Sequence, residues 1–458
     1  MKVVTDDASH LHQALMQAES LSKKSHPSSK AASDNGKVLL LQGPVGPFFK
    51  RLQRYLTSEG MDVNRVCFNP ADLLYSCRKN RIYFSGGFIE WRRWLRKYLH
   101  VSRPDVIILF GSERPAHRIA RQLAERLGIR VLSLEEGYIR PGFVTMEEGG
   151  NNASSPLAGV TPDVFFSPQE RTTEVGVPYK SFGKMSRYGA MYYGIRTFLS
   201  IGAQKQLFHR RFHWWEECFR WGRNAYRRLA GQGNNFATIQ RLLEHWDKHF
   251  FLVPLQVSAD SNMQAAALGW NSMRLISSSM RSFAVTAPLN TRLVFKIHPL
   301  ERGHCDYLSF IAEEAQRLGV GDRVDIIDTG SLGLLARHAA GMITINSTSG
   351  LSAIHHGIPL LVIGKAVYAN PVLAVCANGQ PDFDHFWTCH YVAELSIRRG
   401  YLEWLKQEAL VAGDFYVEDG ITQACHGIAE KVTSYLQSDC VGECLASIDP
   451  EPRQVSVV

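Results

Sequence analysis

The sequence predicts an α/β protein built from two Rossmann-like halves. Short continuous apolar runs alternate with amphipathic stretches from residue 37 onward. After a helical, basic and aromatic interruption, the same rhythm restarts near residue 245. Apolar runs of this kind are the mark of parallel strands buried on both faces, joined by right-handed crossovers.

Residues 1–36 are polar and lack periodicity, as a disordered arm does. KVLLLQG (37–43) is the first strand, and the Gly/Pro loop after it leads into a helix ending at Gly60. DVNRVCFN is a second strand, followed by a loop around Asp72. DVIILFG (105–111) is another strand, PAHRIARQLAERLG a helix with Ile119, Leu123 and Leu127 on one face, and IRVLSL (129–134) a strand. In the second half FFLVPLQ, RLVFKIHP, RVDIID, GMITIN and IPLLVIG are strands. Helices are expected over 271–287 and in YLSFIAEEAQRLG, SLGLLARHAA and the stretch opened by STSGLSAIHHG. The last part is mainly helical. The expected divisions are a first domain over 37–240, a second over 245–400, helices over 401–436 and a flexible tail over 437–458.

The chain has 458 residues, nine scattered cysteines and no apolar run of about 18 residues, the length a membrane-spanning helix needs. The N-terminus lacks a secretory pattern. Cys440 and Cys444 have no matching pair, which argues against a zinc site or disulfide framework and fits a reducing, cytoplasmic compartment. Net charge is +8, and it is uneven. Between Lys180 and Arg228 there are 11 Lys or Arg against Glu216 and Glu217, a balance of +9. Aromatic rings interleave these charges. Such a segment (180–231, placed with the first domain) suits a solvated helix pair, an anionic membrane surface or nucleic acid.

Ligands of parallel sheets bind beyond the carboxyl ends of the strands. Four segments put polar residues there. Gln42-Gly43, continuing to Gly46, forms a Gly/Pro loop. Glu135-Glu136-Gly137 offers carboxylates able to act as base, acid or nucleophile. Arg140 and the Asn151-Asn152 pair follow to position a substrate, and Glu147 lies close by as a further acid. Adjacent strand residues point opposite ways, so one of Glu135 and Glu136 faces the site. His298-Pro299 ends a strand on which Lys296 shares the His298 face. Asn346-Ser347-Thr348 precedes a helix and is expected to present backbone N–H groups and hydroxyls to a phosphate. The ordinary alternatives are a salt-bridged surface loop, a structural histidine and a capped helix.

LLLQGPVGPFFKRL, LFGSERPAHRIA, EEGYIRPGFVTMEEGGNNASSP, FKIHPLERGHCDY and INSTSGLSAIHHGIPLLVIG together resemble the bacterial capsular polysaccharide β-Kdo transferases of the KpsS type. The resemblance runs from about residue 38 to 416, where GDFY falls; Ser349 stands where an apolar residue is expected. It implies a GT-B fold, two Rossmann-like domains facing a cleft. It implies transfer of Kdo from CMP-Kdo to phosphatidylglycerol or its lyso form, which starts the poly-Kdo linker of an exported capsule. It further implies a peripheral enzyme on the inner face of the cytoplasmic membrane, beside other capsule biosynthesis and export proteins, with no nucleic acid partner. A retaining, metal-independent reaction with no cofactor is implied as well. Glu135-Glu136-Gly137, His298-Pro299 and Ser347-Thr348 fall on the family's acid-acid-Gly, HP and Ser/Thr motifs. Alternatives are a GT-B transferase using another nucleotide sugar, or a non-catalytic assembly or export factor.

Overall fold

The computed structural model describes residues 36–160, 176–200, 202–208, 214–257, 263, 266–303 and 305–446. The expected arm, Arg210, Arg211 and the tail beyond residue 446 lie outside the described residues.

The first half opens with β1 (Lys37–Leu40), α1 (Phe48–Ser58), β2 (Asp62–Cys67) and α2 (Pro70–Leu74). Then come β3 (Arg81–Tyr83), α3 (Phe88–Ser102), β4 (Val106–Phe110), α4 (Pro115–Arg126), β5 (Arg130–Glu136) and β6 (Phe143–Glu148). The expected loop around Asp72 is thus a short helix, which Asn69 caps by accepting from the Ala71 and Asp72 amides. Helices α5 (Phe182–Leu199) and α6 (Trp214–His245) form the basic aromatic segment.

The second half comprises β7 (Phe250–Pro254), α7 (Ser272–Thr286), β8 (Arg292–Lys296), α8 (Tyr307–Arg317), β9 (Val324–Ile327), α9 (Leu332–His338) and β10 (Gly341–Thr344). It continues with α10 (Gly350–His356), β11 (Leu360–Val362), β12 (Val375–Cys376), α11 (Phe383–Phe386) and α12 (Leu395–Ala409). The chain then adds β13 (Leu410–Ala412) and α13 (Glu418–Ala446).

Two sheets result, each with helices on both faces, as the apolar runs require. The second has the order β12-β11-β10-β7-β8-β9 and is parallel throughout. One face packs Leu335 of α9, Ile354 of α10 and Leu405 of α12; the other packs Met280 and Phe283 of α7 and Ile311 of α8. The first sheet has the order β13-β6-β5-β4-β1-β2-β3. Its strands β1 to β5 are parallel, but β6 runs antiparallel to β5 and β13 antiparallel to β6. Trp91 and Trp94 of α3 cover one face; Phe48 of α1 and Ile428 of α13 cover the other.

The chain therefore crosses back: β13 and α13 complete the first half although they end the sequence. The limits expected at residues 240, 400 and 436 fall inside α6, α12 and α13, and residues 437–446 of the expected tail are helical. Helix α6 packs along the second sheet's edge strand β9. There Asn235 exchanges hydrogen bonds with Asp328, and Arg241 pairs with Asp325. Two Rossmann-like halves thus face each other in a GT-B arrangement. Among the described residues no helix is long and apolar enough to cross a membrane.

Candidate active site

The carboxylate pair sits on a hairpin. Glu135 and Glu136 are not in a loop past the strand; they are the last two residues of β5, opposite Thr145 and Val144 of β6. The chain turns at Gly137, where a Cβ would stand 2.2 Å from the Phe143 carbonyl oxygen, so only glycine fits the neck. The two-residue period of a strand sends the carboxylates to opposite faces. Glu135 shares its face with Thr145 and Glu147, and Glu136 shares its own with Val144 and Met146. On the Glu136 side, Tyr416 of the GDFY stretch is buried and donates its hydroxyl hydrogen to Glu136 Oε1 at 2.9 Å. Asp414 holds that turn by accepting from the Tyr416 and Val417 amides. Phe415 packs edge-on against Phe48 and Phe110.

Glu147 lies beneath this surface, 4% exposed. Its carboxylate accepts from Tyr138 Oη, Ser155 Oγ and Asn151 Nδ2, the last at 3.2 Å. Burial raises its pKa above the usual carboxylate range, and the three donors oppose that rise. Asn151 also donates to the Ser133 carbonyl at 3.0 Å. Tyr138 Oη in turn accepts from the Asn152 amide. The Asn152 side chain reaches the second half, donating to the Asn346 carbonyl at 3.2 Å and accepting from the Val367 amide at 3.1 Å. Both asparagines, expected against a sugar, are instead buried and engaged by protein. A buried amide must find such partners, and here they fasten the hairpin to the opposite half.

In the second half, Lys296 ends β8 and is buried; burial is the main cause of a lowered pKa. His298 follows, its pKa pushed down to about 4 by burial first, then by Lys296, with Arg140 and Arg302 contributing and Glu301 opposing. Arg140 belongs to the hairpin of the other half, where its Nε donates to the Gly137 carbonyl at 3.0 Å. Its charge is thus felt at His298 across the cleft. His298 Nδ1 accepts from the Leu300 amide at 3.2 Å, which leaves the proton of the neutral ring on Nε2. The loop beyond is clamped. Arg302 grips Asp328 with two nitrogens, Asn224 of α6 donates to the Pro299 carbonyl at 2.9 Å, and Arg227 donates to the Arg302 carbonyl and pairs with Asp306.

Asn346 is buried and exchanges two hydrogen bonds with Gln256 at the end of β7. The expected row of open amides at Ser347-Thr348 is partly closed. The Ser347 amide donates to Thr344 Oγ1, the Ser349 amide to Ser347 Oγ, and the Gly350 amide to the Ser347 carbonyl. Hydroxyls compete locally for backbone donors in this way, and no side chain caps α10. Thr348 is half-buried beside them. The Gln42-Gly43-Gly46 loop is roofed by α5. Gln42 donates to Tyr192 Oη at 2.7 Å, Arg114 donates to Gln42 Oε1 and to the Gly43 carbonyl, and a Cβ on Gly46 would meet the Tyr188 ring.

The structure therefore brings Arg140 of one half within electrostatic reach of His298 of the other and fastens Asn152 to the Asn346 turn, while Glu136 stays on the hairpin beside Tyr416. It sets Glu147, Asn151 and Asn152 behind them as supports, and Gln42, Gly43 and Gly46 under α5. A neutral imidazole N–H beside Lys296 and in reach of Arg140 favours an anion, and the carboxylates on the Arg140 hairpin suit general base or nucleophilic work. Sequence reasoning missed Tyr416, Gln256 and Arg114. GDFY was visible as a motif, but nothing local ties it to a strand 280 residues earlier.

The model of the family described as "Capsule polysaccharide biosynthesis protein" matches residues 105–416. The chain is 32% identical over 382 residues to the capsule polysaccharide export protein KpsS of Escherichia coli, covering 83% of this chain and 97% of that one. It is 30% identical over 394 residues to the capsule polysaccharide modification protein LipB of Neisseria meningitidis serogroup A, covering 83% and 91%. Among solved structures, KpsC of Thermosulfurimonas dismutans, a β-Kdo 2,7 transferase, aligns with a TM-score of 0.41 at 12% identity, covering 87% of this chain and 99% of that one.

Proposed function

The chain belongs to the capsule polysaccharide biosynthesis protein family, and we propose that it is a glycosyltransferase moving Kdo from CMP-Kdo to a phosphatidylglycerol-type lipid. The acceptor is phosphatidylglycerol or its lyso form, and the product starts the poly-Kdo linker of a capsular polysaccharide. The observation that carries this reading is that the hairpin bearing Glu135 and Glu136 also bears Arg140, whose charge is felt at His298 beside Lys296 in the other half.

In this mechanism His298 Nε2–H and Lys296 hold the CMP phosphate, with the Asn346–Thr348 turn alongside. Arg140, on the hairpin but electrostatically in reach of His298, takes the carboxylate of Kdo, an anion that a guanidinium binds bidentately. Glu136, oriented by Tyr416, takes the proton of the lipid hydroxyl as that oxygen bonds to the anomeric carbon and the bond from that carbon to the CMP phosphate breaks. Glu135, on the other face, is the second acid. CMP leaves as a monophosphate, whose modest charge these cations match without a metal or cofactor. The stereochemical outcome is retention. The enzyme works at the inner face of the cytoplasmic membrane, where other capsule biosynthesis and export proteins act.

Titration calorimetry tests the donor site. CMP is expected to bind and UDP not to. His298→Ala is expected to lose about 1–3 kcal/mol of CMP binding, the worth of a hydrogen bond to a charged group, while staying folded. Equal binding of UDP, or unchanged CMP affinity in the variant, would overturn the assignment.

A further inference from the structure

Helix α6 has two unlike faces. Its inner face carries Asn224, Arg227 and Asn235, which hold the His298-Pro299 loop and Asp328. Its outer face carries Phe219, Tyr226, Leu229 and Phe236, each between 69% and 74% exposed. Their spacing of seven, three and seven residues puts them in one row along the helix. Four large apolar side chains standing in water in one line mark an interaction surface.

Charge decides what it meets. The helix carries five arginines against Glu216, Glu217 and Glu244; Arg220, Arg227 and Arg241 pair with Glu216, Asp306 and Asp325, and Arg228 stands exposed. Pairing with a second copy through this row brings together two segments of net positive charge, an unfavourable arrangement. Residues 1–35 carry four lysines and four acids, so they offer no opposite charge either. An anionic lipid surface satisfies both features, burying the row at headgroup depth and drawing the exposed Arg228 and the net positive charge of the segment to the phosphates. We propose that the outer face of α6 is the membrane-docking surface, seated on an anionic bilayer.

The inner face of the same helix clamps the donor loop. Docking therefore places the donor site about one helix diameter, ~10–12 Å, from the lipid surface. The surface is argued from α6 itself and stands apart from the transfer reaction proposed above.

Co-sedimentation with vesicles tests it. The parent protein is expected to bind vesicles containing phosphatidylglycerol, to bind phosphatidylcholine vesicles weakly, and to release as salt rises. The triple variant Phe219→Ser, Leu229→Ser, Phe236→Ser is expected to bind phosphatidylglycerol vesicles at least about tenfold more weakly, since it removes most of the buried apolar area. Arg228→Glu, a single exposed change, is expected to weaken binding and its salt dependence. Circular dichroism and CMP binding of both variants separate loss of docking from loss of the fold or the donor site. Vesicle binding equal to the parent's in both folded variants would overturn the proposal. So would a parent dimer that the triple variant splits into monomers.

Discussion

Tyr416 is the residue that most changes how the site is understood. It lies outside every strand-end motif, yet its hydroxyl orients Glu136. Glu136→Gln keeps the shape, removes the charge, and is expected to abolish transfer while CMP still binds. Tyr416→Phe deletes one hydrogen bond to a charged group, worth about 1.5–3 kcal/mol, so turnover should fall roughly tenfold or more with CMP affinity unchanged. Single-turnover assays beside calorimetry read both. Normal turnover in Glu136→Gln would move the role to Glu135 on the opposite face. His117 makes a different prediction. It is buried in α4 with Nδ1 3.0 Å from the Gly111 carbonyl oxygen, and burial pushes its pKa down from 6.5 to about 3. Below about 6.5 the unfolded chain takes up a proton that the folded one refuses. Its contribution to stability is therefore full above that pH and lost progressively towards about 3. From pH 6.5 to 5 this one group should cost about 2 kcal/mol. His117→Asn should remove that share of the pH dependence, as read from urea unfolding at both pH values.

At the scale of elements, the β5–β6 hairpin explains why the opening carboxylates are crowded by turn formers. The Gly137–Gly142 stretch reverses the chain, and Glu147 on the return strand braces the Asn151–Asn152 turn. Gly137→Ala drives a Cβ into the Phe143 carbonyl. An overpacked neck should destabilise the protein by about 1–3 kcal/mol and lower transfer more than CMP binding, because the donor loop lies in the other half. Unfolding curves that overlay the parent's would show that the neck can relax. The strand itself was legible as the apolar IRVLSL run, but its antiparallel partner was not. FVTMEE alternates too briefly to announce a strand, and strand direction is fixed by tertiary packing rather than local pattern. β13 was hidden for a similar reason, being three residues at the end of a helical stretch. The Ser347–Gly350 turn read correctly as a strand-to-helix junction. Which of its amides stay open depends on the Ser347 and Thr344 hydroxyls, and that is set by geometry.

The whole molecule follows the rhythm of its sequence. Two runs of apolar strands give one wholly parallel sheet and one that is parallel from β1 to β5, and the polar segments fall at the carboxyl ends of their strands. What the rhythm did not show is how the halves are tied. Asn152 bridges to Asn346 and Val367, α6 leaves the first half to clamp the second, and β13 with α13 returns to the first. The Asn224–Pro299 contact spans 75 positions and the two Asn152 contacts 194 and 215, so no local pattern carries them. The central claim is that this cleft transfers Kdo from CMP-Kdo to a lipid. The most direct measurement is incubation of the purified protein with CMP-Kdo and lyso-phosphatidylglycerol, with products read by mass spectrometry. The expected result is lipid heavier by a Kdo residue, with CMP released, and none with Glu136→Gln. Unmodified lipid with intact CMP-Kdo, from folded protein that binds CMP, would contradict the account.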